Sequence, residues 1–321
     1  MGMNNGIQLE FERPIIELEK KISDMQDFSV GENIELKNEI EALQRKRDRL
    51  RKEIYSNLTR WQKVQISRHP RRPYTLDYIK LMGTEFIELH GDRGFADDKA
   101  MVGGFARIDG RPVMMVGQQK GRDTKQKLER NFGMAHPEGY RKARRLFYLA
   151  EKFNVPIVIL VDTPGAFPGI GAEERGQAEA IAKNIQVMFQ IKVPIVVVII
   201  GEGASGGALG IGIGDRVMMF EYSWYSVISP EGCAAILWRD NANAPEAAEA
   251  LKPTSDDLIK LGIIDKILPE PPNGAHHDHK AAAATVKKEV LSALDELQKE
   301  SVENLLKKRL EKYRRMGVYK E

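Results

Sequence analysis

Several features that mark large classes of protein are scarce in this sequence. Cys233 is the one cysteine among 321 residues, which excludes an internal disulfide and a zinc site built from thiolates. The longest apolar runs have about eight residues, well short of a membrane span. The N-terminus lacks the character of a signal peptide. These absences predict a cytoplasmic protein that does not enter a membrane.

An excess of one charge is also missing. The chain has 49 basic and 46 acidic residues, which gives a net charge of +3 at pH 7. A charge this balanced gives no reason to expect nucleic acid as a partner. The chain is long enough, at 321 residues, to bury a large core in one or two domains.

The most informative segment is the glycine-rich stretch at residues 201–207. It follows a β-branched run over residues 193–200, which predicts a strand buried on both faces. Glycine lets the backbone turn sharply and approach a ligand, and a helix can begin at Ala208. Backbone N–H groups at such a strand-to-helix turn point the same way, as they do in an oxyanion hole. A tight structural turn is the alternative interpretation.

The same strand-and-loop pattern occurs twice more upstream. Residues 155–161 form an apolar run that leads into a second glycine-containing loop at residues 162–171. Residues 111–117 form a weaker copy, preceded by the hairpin signal Asp109-Gly110. The repetition predicts stacked ββα or βαβ units with largely parallel strands. Ligands of such folds lie at the C-terminal ends of the strands, where both glycine-rich loops are expected.

Composition divides the chain into three parts. They are a helical N-terminal segment (1–63), an α/β catalytic core (64–268), and a linker with a C-terminal amphipathic helix (269–321). The first part predicts an antiparallel helical hairpin with a break at residues 28–31 and a heptad-like apolar stripe from Leu36 to Trp61. Apolar residues from Val290 to Tyr313 predict one amphipathic helix in the last part.

A different enzyme class is also compatible with the glycine-rich loop. Ser205 lies in a Gly-x-Ser-x-Gly motif between a predicted strand and helix, as the nucleophile of a serine hydrolase does. Asp265 and His276 follow in the order that those enzymes use. However, His276 lies in a proline-rich segment beside His277 and His279. This histidine cluster could bind a metal, but a polar linker is the preferred interpretation.

A basic cluster follows the first of the repeated strands. Lys120, Arg122 and Lys125 are candidates for contacts with the phosphates of a nucleotide-like ligand or the carboxylate of a carrier. A solvated surface explains these side chains equally well.

Long, ordered blocks of the sequence resemble the carboxyltransferase alpha subunit of bacterial acetyl-coenzyme A carboxylase. The blocks are residues 68–70, 72–79, 88–93, 120–125, 131–134, 137–143, 162–166 and 206–208. The match runs from the N-terminal helices to the C-terminal helix.

This resemblance implies a crotonase-like α/β core of repeated ββα units, with an N-terminal helical hairpin and C-terminal helices. It implies transfer of a carboxyl group from carboxybiotin to acetyl-CoA, which forms malonyl-CoA for fatty acid biosynthesis. The implied partners are a beta subunit, in a heterotetramer of two alpha and two beta subunits, the biotin carboxyl carrier protein, and the ATP-using biotin carboxylase. Biotin belongs to the carrier and zinc to the beta subunit, so no metal is expected on this chain.

The resemblance also implies roles for the two glycine-rich loops. The backbone N–H groups of Gly206 and Gly207 hold the ureido oxygen of biotin, while the beta subunit holds the enolate oxygen of acetyl-CoA. The remaining residues expected to line the substrate pocket are Gly165, Ala166, Gly203, Ala204 and Ser205. Activity is therefore expected only in the presence of the beta subunit.

Overall fold

A mixed eight-stranded sheet forms the centre of the protein. The computed structural model describes residues 9–32 and 36–317, without the side chains of residues 30–32. The strands are β1 (Thr84–Glu88), β2 (Met101–Ile108), β3 (Arg111–Gln118), β4 (Ile157–Thr163), β5 (Ile195–Ala204), β6 (Arg216–Phe220), β7 (Trp224–Ser226) and β8 (Lys266–Leu268). Their spatial order is β1-β2-β3-β4-β5-β6-β8, and β7 pairs with β5 outside this path.

Helices surround the sheet. They are α1 (Arg13–Glu32), α2 (Lys37–Ser56), α3 (Arg60–Ser67), α4 (Thr75–Met82), α5 (Thr124–Glu129), α6 (Pro137–Lys152), α7 (Ile170–Glu174), α8 (Gln177–Met188), α9 (Ser205–Leu209), α10 (Pro230–Trp238), α11 (Ala244–Leu251), α12 (Ser255–Lys260), α13 (His279–Leu297) and α14 (Val302–Arg314). Short 3-10 helices lie at Glu10–Glu12, Asn131–Gly133 and Asn241–Asn243. Within the described ranges, none of the helices combines the length and apolar character that a membrane span requires.

The β-branched runs are strands because both of their faces are buried. In β5, Ile195 and Val197 pack in one hydrophobic cluster with α6 and α8, whereas Val196 and Val198 pack in another with α4 and α13. Side chains alternate between the two faces of a strand, so a continuous apolar run fills both layers at once. β3, β4, β5 and β6 are parallel neighbours. The predicted α/β core is therefore confirmed.

A two-residue turn joins the antiparallel strands β2 and β3, as the sequence predicts. Asp109 and Gly110 both have left-handed φ angles, 49° and 77°. Ile108 pairs directly with Arg111 across this turn. Such φ values are typical of the type I′ turns that match the twist of a hairpin.

The N-terminal helices form the predicted antiparallel hairpin, although two of its limits were predicted wrongly. Arg51 of α2 pairs with Glu19 of α1. The break does not lie at residues 28–31, because α1 continues through them to Glu32. The helix that was expected to reach Trp61 ends at Ser56.

A capping box explains the second of these errors. The Thr59 hydroxyl accepts a hydrogen bond from the Gln62 N–H, and the Gln62 side chain accepts one from the Thr59 N–H. Such a reciprocal pair starts a new helix. Trp61 therefore belongs to α3, and the predicted domain boundary between residues 63 and 64 falls inside that helix.

The single amphipathic helix expected at the C-terminus is two helices. α13 ends at Leu297, and Ser301 caps α14 by accepting a hydrogen bond from the Asn304 N–H. Arg309 of α14 is only 1% exposed and donates to both carboxylate oxygens of Asp215, each at 2.7 Å. This buried ion pair fixes α14 to the core. The domain boundaries themselves stay predictions.

Candidate active site

The two glycine-rich loops meet at one edge of the sheet. They follow β4 and β5, which are parallel neighbours. A Cβ atom added at Gly207 would lie 2.3 Å from the carbonyl carbon of Gly165 and 2.6 Å from the nitrogen of Ala166. No side chain fits at position 207 at these distances, so glycine is required there. The close approach makes the two loops a continuous backbone surface.

The turn from strand to helix is sharper than the sequence predicts. β5 continues through Gly203 and Ala204, and α9 begins at Ser205 rather than at Ala208. Ser205 has a φ of 56°, in the left-handed region that few residues other than glycine adopt. Ala204 offers no capping side chain to the first turn of α9. The early N–H groups of a helix, here including those of Gly206 and Gly207, have no partner within the helix itself.

Gln118 holds this turn in place and was missed in the sequence. Its side chain is fully buried. The side-chain amide donates to the carbonyl of Gly207 at 3.0 Å and accepts from the Asp162 N–H at 3.1 Å. It thus connects the ends of β3 and β4 with α9. The available signal was a polar residue directly after a predicted apolar strand.

A buried ion network lies below the loops. The Lys120 ammonium is 2.7 Å from Asp162 Oδ1 and 2.6 Å from Glu202 Oε2. The other carboxylate oxygen of Glu202 accepts from Arg68 Nε at 2.7 Å. Arg68 also pairs with Glu231. We call Lys120, Asp162, Glu202 and Arg68 the loop network, because Asp162 and Glu202 belong to the strands that carry the loops.

Electrostatics keep Lys120 and Glu202 of the loop network charged. Burial raises the pKa of Asp162, although the neighbouring Lys120 charge opposes that rise. Burial also disfavours the ionised form of Glu202, but the charges of Lys120 and Arg68 outweigh it and lower the pKa of Glu202. Burial opposes the charge of Lys120 in the same way, and the two carboxylates overcome it and raise the pKa of Lys120. The lysine is therefore held protonated between its partners.

The three basic candidates have different surroundings. Lys120 is paired with Asp162 and Glu202 in the loop network. Arg122 pairs with Asp77 and lies over the ring of Tyr74, 4.6 Å from its centroid. Lys125 is exposed on α5 and makes no ion pair within the described residues. Of the three, Lys125 is the most available to an external anion.

The structure does not support the hydrolase alternative. Asp265 pairs with Lys312 and accepts from the Val217 N–H at 2.6 Å. His276 stacks on His69 with ring centroids 4.1 Å apart. Neither hydrogen-bonds the Ser205 hydroxyl, as a catalytic triad requires. Ser205 is a small residue at the turn.

An apolar cleft opens beside the turn. Its volume is about 670 Å³, and it was not visible in the sequence because distant segments form it. Its lining includes Ser205, Leu209, Tyr225, Val227, Leu261 and Met316. Val227 is 73% exposed, although it is apolar. The cleft can hold a flat, largely apolar group against the start of α9.

Two solved structures share the fold of this chain. Transcarboxylase 12S aligns with a TM-score of 0.58 at 22% identity, over 71% of this chain and 42% of the transcarboxylase chain. A Pseudomonas malonate decarboxylase hetero-tetramer in complex with coenzyme A aligns with a TM-score of 0.59 at 18% identity, over 74% of this chain and 92% of its own. At these identities the likeness shows the fold alone, which is that of the crotonase-like carboxyltransferases.

Sequence comparison identifies the family within that class. A family model described as acetyl co-enzyme A carboxylase carboxyltransferase-like matches residues 8–317. The acetyl-coenzyme A carboxylase carboxyl transferase subunit alpha of Geobacter metallireducens is 57% identical over 319 residues, 99% of this chain and 100% of its own. The subunit of the same name from Chlorobium luteolum is 56% identical over 333 residues, covering 99% of both chains. This chain belongs to the family of acetyl-CoA carboxylase carboxyltransferase alpha subunits.

Proposed function

We propose that this chain, together with a beta subunit, transfers a carboxyl group from carboxybiotin to acetyl-CoA and so forms malonyl-CoA for fatty acid biosynthesis. Membership of the alpha-subunit family supports the reaction. The single observation that supports the site is the direct packing of Gly207 on the peptide between Gly165 and Ala166, next to the apolar cleft.

The residues of this chain act by positioning and by hydrogen bonding. When bound, biotin supplies the activated carboxyl group. The N–H groups of Gly206 and Gly207 donate to the ureido oxygen, where negative charge develops. Donors that are fixed before the reaction stabilise such charge without reorganisation. Gln118 fixes the Gly207 carbonyl, and Leu209 and Tyr225 in the cleft wall exclude water.

The same proposal covers the partners. The beta subunit completes the site and carries the zinc, in a heterotetramer of two alpha and two beta subunits. The biotin carboxyl carrier protein delivers the biotin that biotin carboxylase has charged. Gly203, Ala204 and Ser205 complete the wall of the pocket, and Lys125 is the anion contact. The cytoplasmic location expected from the sequence belongs to this proposal as well.

Reconstitution with the beta subunit tests the proposal. The chain alone should form no malonyl-CoA from a carboxybiotin donor, and addition of the beta subunit should start the reaction. Gly206→Pro removes one N–H donor. Loss of a single oxyanion donor lowers kcat by about 10²–10³-fold.

Gly206→Ala is the matched control because it keeps the N–H. A Cβ at position 206 meets only the Ile181 side chain, at 3.4 Å, so alanine fits there. Both variants must form the complex and melt like the wild type. Near wild-type turnover by an assembled Gly206→Pro complex, or robust turnover by this chain alone, contradicts the proposal.

A further inference from the structure

A second group of potential ligands lies away from the glycine-rich loops. Glu12, from the 3-10 helix before α1, meets His276 and His277, which precede α13. One ligand atom of each residue lies within 4.8 Å of the other two. His276 Nε2 is 3.9 Å from Glu12 Oε1. We call these three residues the Glu-His cluster.

His276 is the unusual member of the Glu-His cluster. It is only 5% exposed, and neither of its ring nitrogens has a hydrogen-bond partner within the described residues. Its ring lies between His69 and His277, with centroid distances of 4.1 Å and 4.4 Å. Buried polar groups in native proteins nearly always have a partner. The unpaired Nε2, which faces a carboxylate, indicates that a ligand belongs between them.

The protonation state of the buried imidazole suits a metal ion. Burial lowers the pKa of His276 well below its usual range. This ring is therefore neutral at pH 7, the form in which histidine ligates metals. The positive charges of Arg71 and Arg72 also face this region. Arg72 is neutralised by Glu270, which it contacts through two hydrogen bonds of 2.7 Å and 2.8 Å.

We propose that Glu12, His276 and His277 bind one divalent transition-metal ion of the zinc class. Two imidazoles and one carboxylate form a ligand set that zinc uses in proteins. The bound ion joins the N-terminal hairpin to the segment before α13. The histidines are then ligands, and not a polar linker as the sequence suggested.

The surroundings of the cluster support this assignment. The Tyr55 hydroxyl donates to Glu12 and lies 3.1 Å from the carbonyl of Asn273, which orients the ligand carboxylate from a second layer. His277 is exposed, so an ion and a water ligand can enter from its side. Tetrahedral zinc needs ligand atoms roughly 3–3.5 Å apart. The ligand atoms lie within 4.8 Å of one another, so they must move closer together when the ion binds.

Metal analysis of the full chain tests the proposal. The chain is produced without any beta subunit, treated with a chelator, and dialysed against Zn²⁺ or Co²⁺. We expect one zinc per chain by mass spectrometry, a higher melting temperature with zinc, and the visible absorption of tetrahedral Co²⁺. His277→Ala and Glu12→Gln should each weaken zinc binding at least tenfold. His277→Ala changes an exposed side chain and leaves the core intact.

His279→Ala is the matched control. His279 belongs to the same segment, but its Nε2 lies 2.6 Å from the Arg71 carbonyl, outside the Glu-His cluster. This variant should bind zinc like the wild type. The proposal is overturned if the wild type takes up no stoichiometric zinc, if zinc leaves its melting temperature unchanged, or if His277→Ala binds zinc as tightly as His279→Ala.

Discussion

The loop network and the Glu-His cluster are both largely buried groups of polar side chains, but they differ in how their atoms are satisfied. In the loop network, Lys120 contacts two carboxylates, and Glu202 contacts two cations. In the Glu-His cluster, His276 is equally buried and both of its ring nitrogens lack hydrogen-bond partners among the described residues. A satisfied buried network makes a structure rigid, whereas an unsatisfied one marks a place where a further ligand is needed.

This difference corresponds to two roles. The loop network joins the strands that carry the glycine-rich loops, so its rigidity maintains the geometry of the backbone donors. The Glu-His cluster joins the N-terminal hairpin to the core at a point where protein atoms alone do not complete the hydrogen bonding. Mutations in the two groups should therefore change stability in opposite directions.

Lys120→Met should have the largest effect. It leaves Asp162 buried without its cation, although Glu202 keeps Arg68. Breaking one side of a buried ion pair costs about 3–5 kcal/mol. Urea unfolding at pH 7 measures this loss. Lys125→Met is the control, and as an exposed change it should stay within about 0.5 kcal/mol of the wild type. Equal stability of the two variants would show that the loop network is not structural.

Gln118→Met tests the connection between the network and the donors. Methionine has a similar length but cannot bond the Gly207 carbonyl or the Asp162 N–H. The buried Asp162 N–H loses its partner, and the Gly207 carbonyl keeps only the Tyr140 hydroxyl at 3.5 Å, so we expect destabilisation by about 1–3 kcal/mol. In the reconstituted complex, kcat should fall while the KM for acetyl-CoA stays unchanged. A change confined to stability would assign Gln118 a packing role only.

Asp257→Asn removes an ion pair at the edge of the core and should cause a loss of stability of intermediate size. Arg60 donates two hydrogen bonds to Asp257, at 2.7 Å and 2.8 Å, and lowers its pKa from 3.8 to about 2. Because the pKa of Asp257 is lower in the folded state, its ionised carboxylate stabilises the fold at any pH above the pKa of the unfolded state. That stabilisation disappears as the pH falls through the pKa of the folded state. The variant should therefore lose roughly 2 kcal/mol at pH 7.

The difference between wild type and Asp257→Asn should shrink between pH 4 and pH 2. Chemical denaturation across this range measures it. A constant difference at every pH would mean that the ion pair does not provide the stabilisation.

His276→Phe should have the smallest effect, with the opposite sign. In chelator, phenylalanine keeps the stacking on His69 and removes two unpaired nitrogens. Replacing an unsatisfied buried polar group by an apolar one is neutral or stabilises by about 1 kcal/mol. Thermal unfolding in the presence of a chelator measures it, and zinc should stabilise only the wild type. A clear loss of stability in chelator would show that the ring nitrogens are already satisfied.

The sequence predicts those parts of the fold that depend on local patterns. The buried strands β4 and β5, the turn at Asp109-Gly110 and the glycine-rich loops follow from runs of a few residues. The N-terminal limit of α3 also had a local signal, the capping box of Thr59 and Gln62, but the apolar stripe obscured it. The cleft, the partners of Gln118 and the loop network could not be predicted, because their contacts join residues far apart in the chain.

The length of β5 has a consequence for where this chain tolerates insertions. β5 pairs with β6 through Val196 to Ile199, and then with β7 through Glu202 to Ala204. An extra residue in this strand would exchange the side chains of its two faces and move Gly207 away from Gly165. A peptide tag or a loop graft belongs instead at residues 239–243, which are mostly exposed and lie outside the sheet.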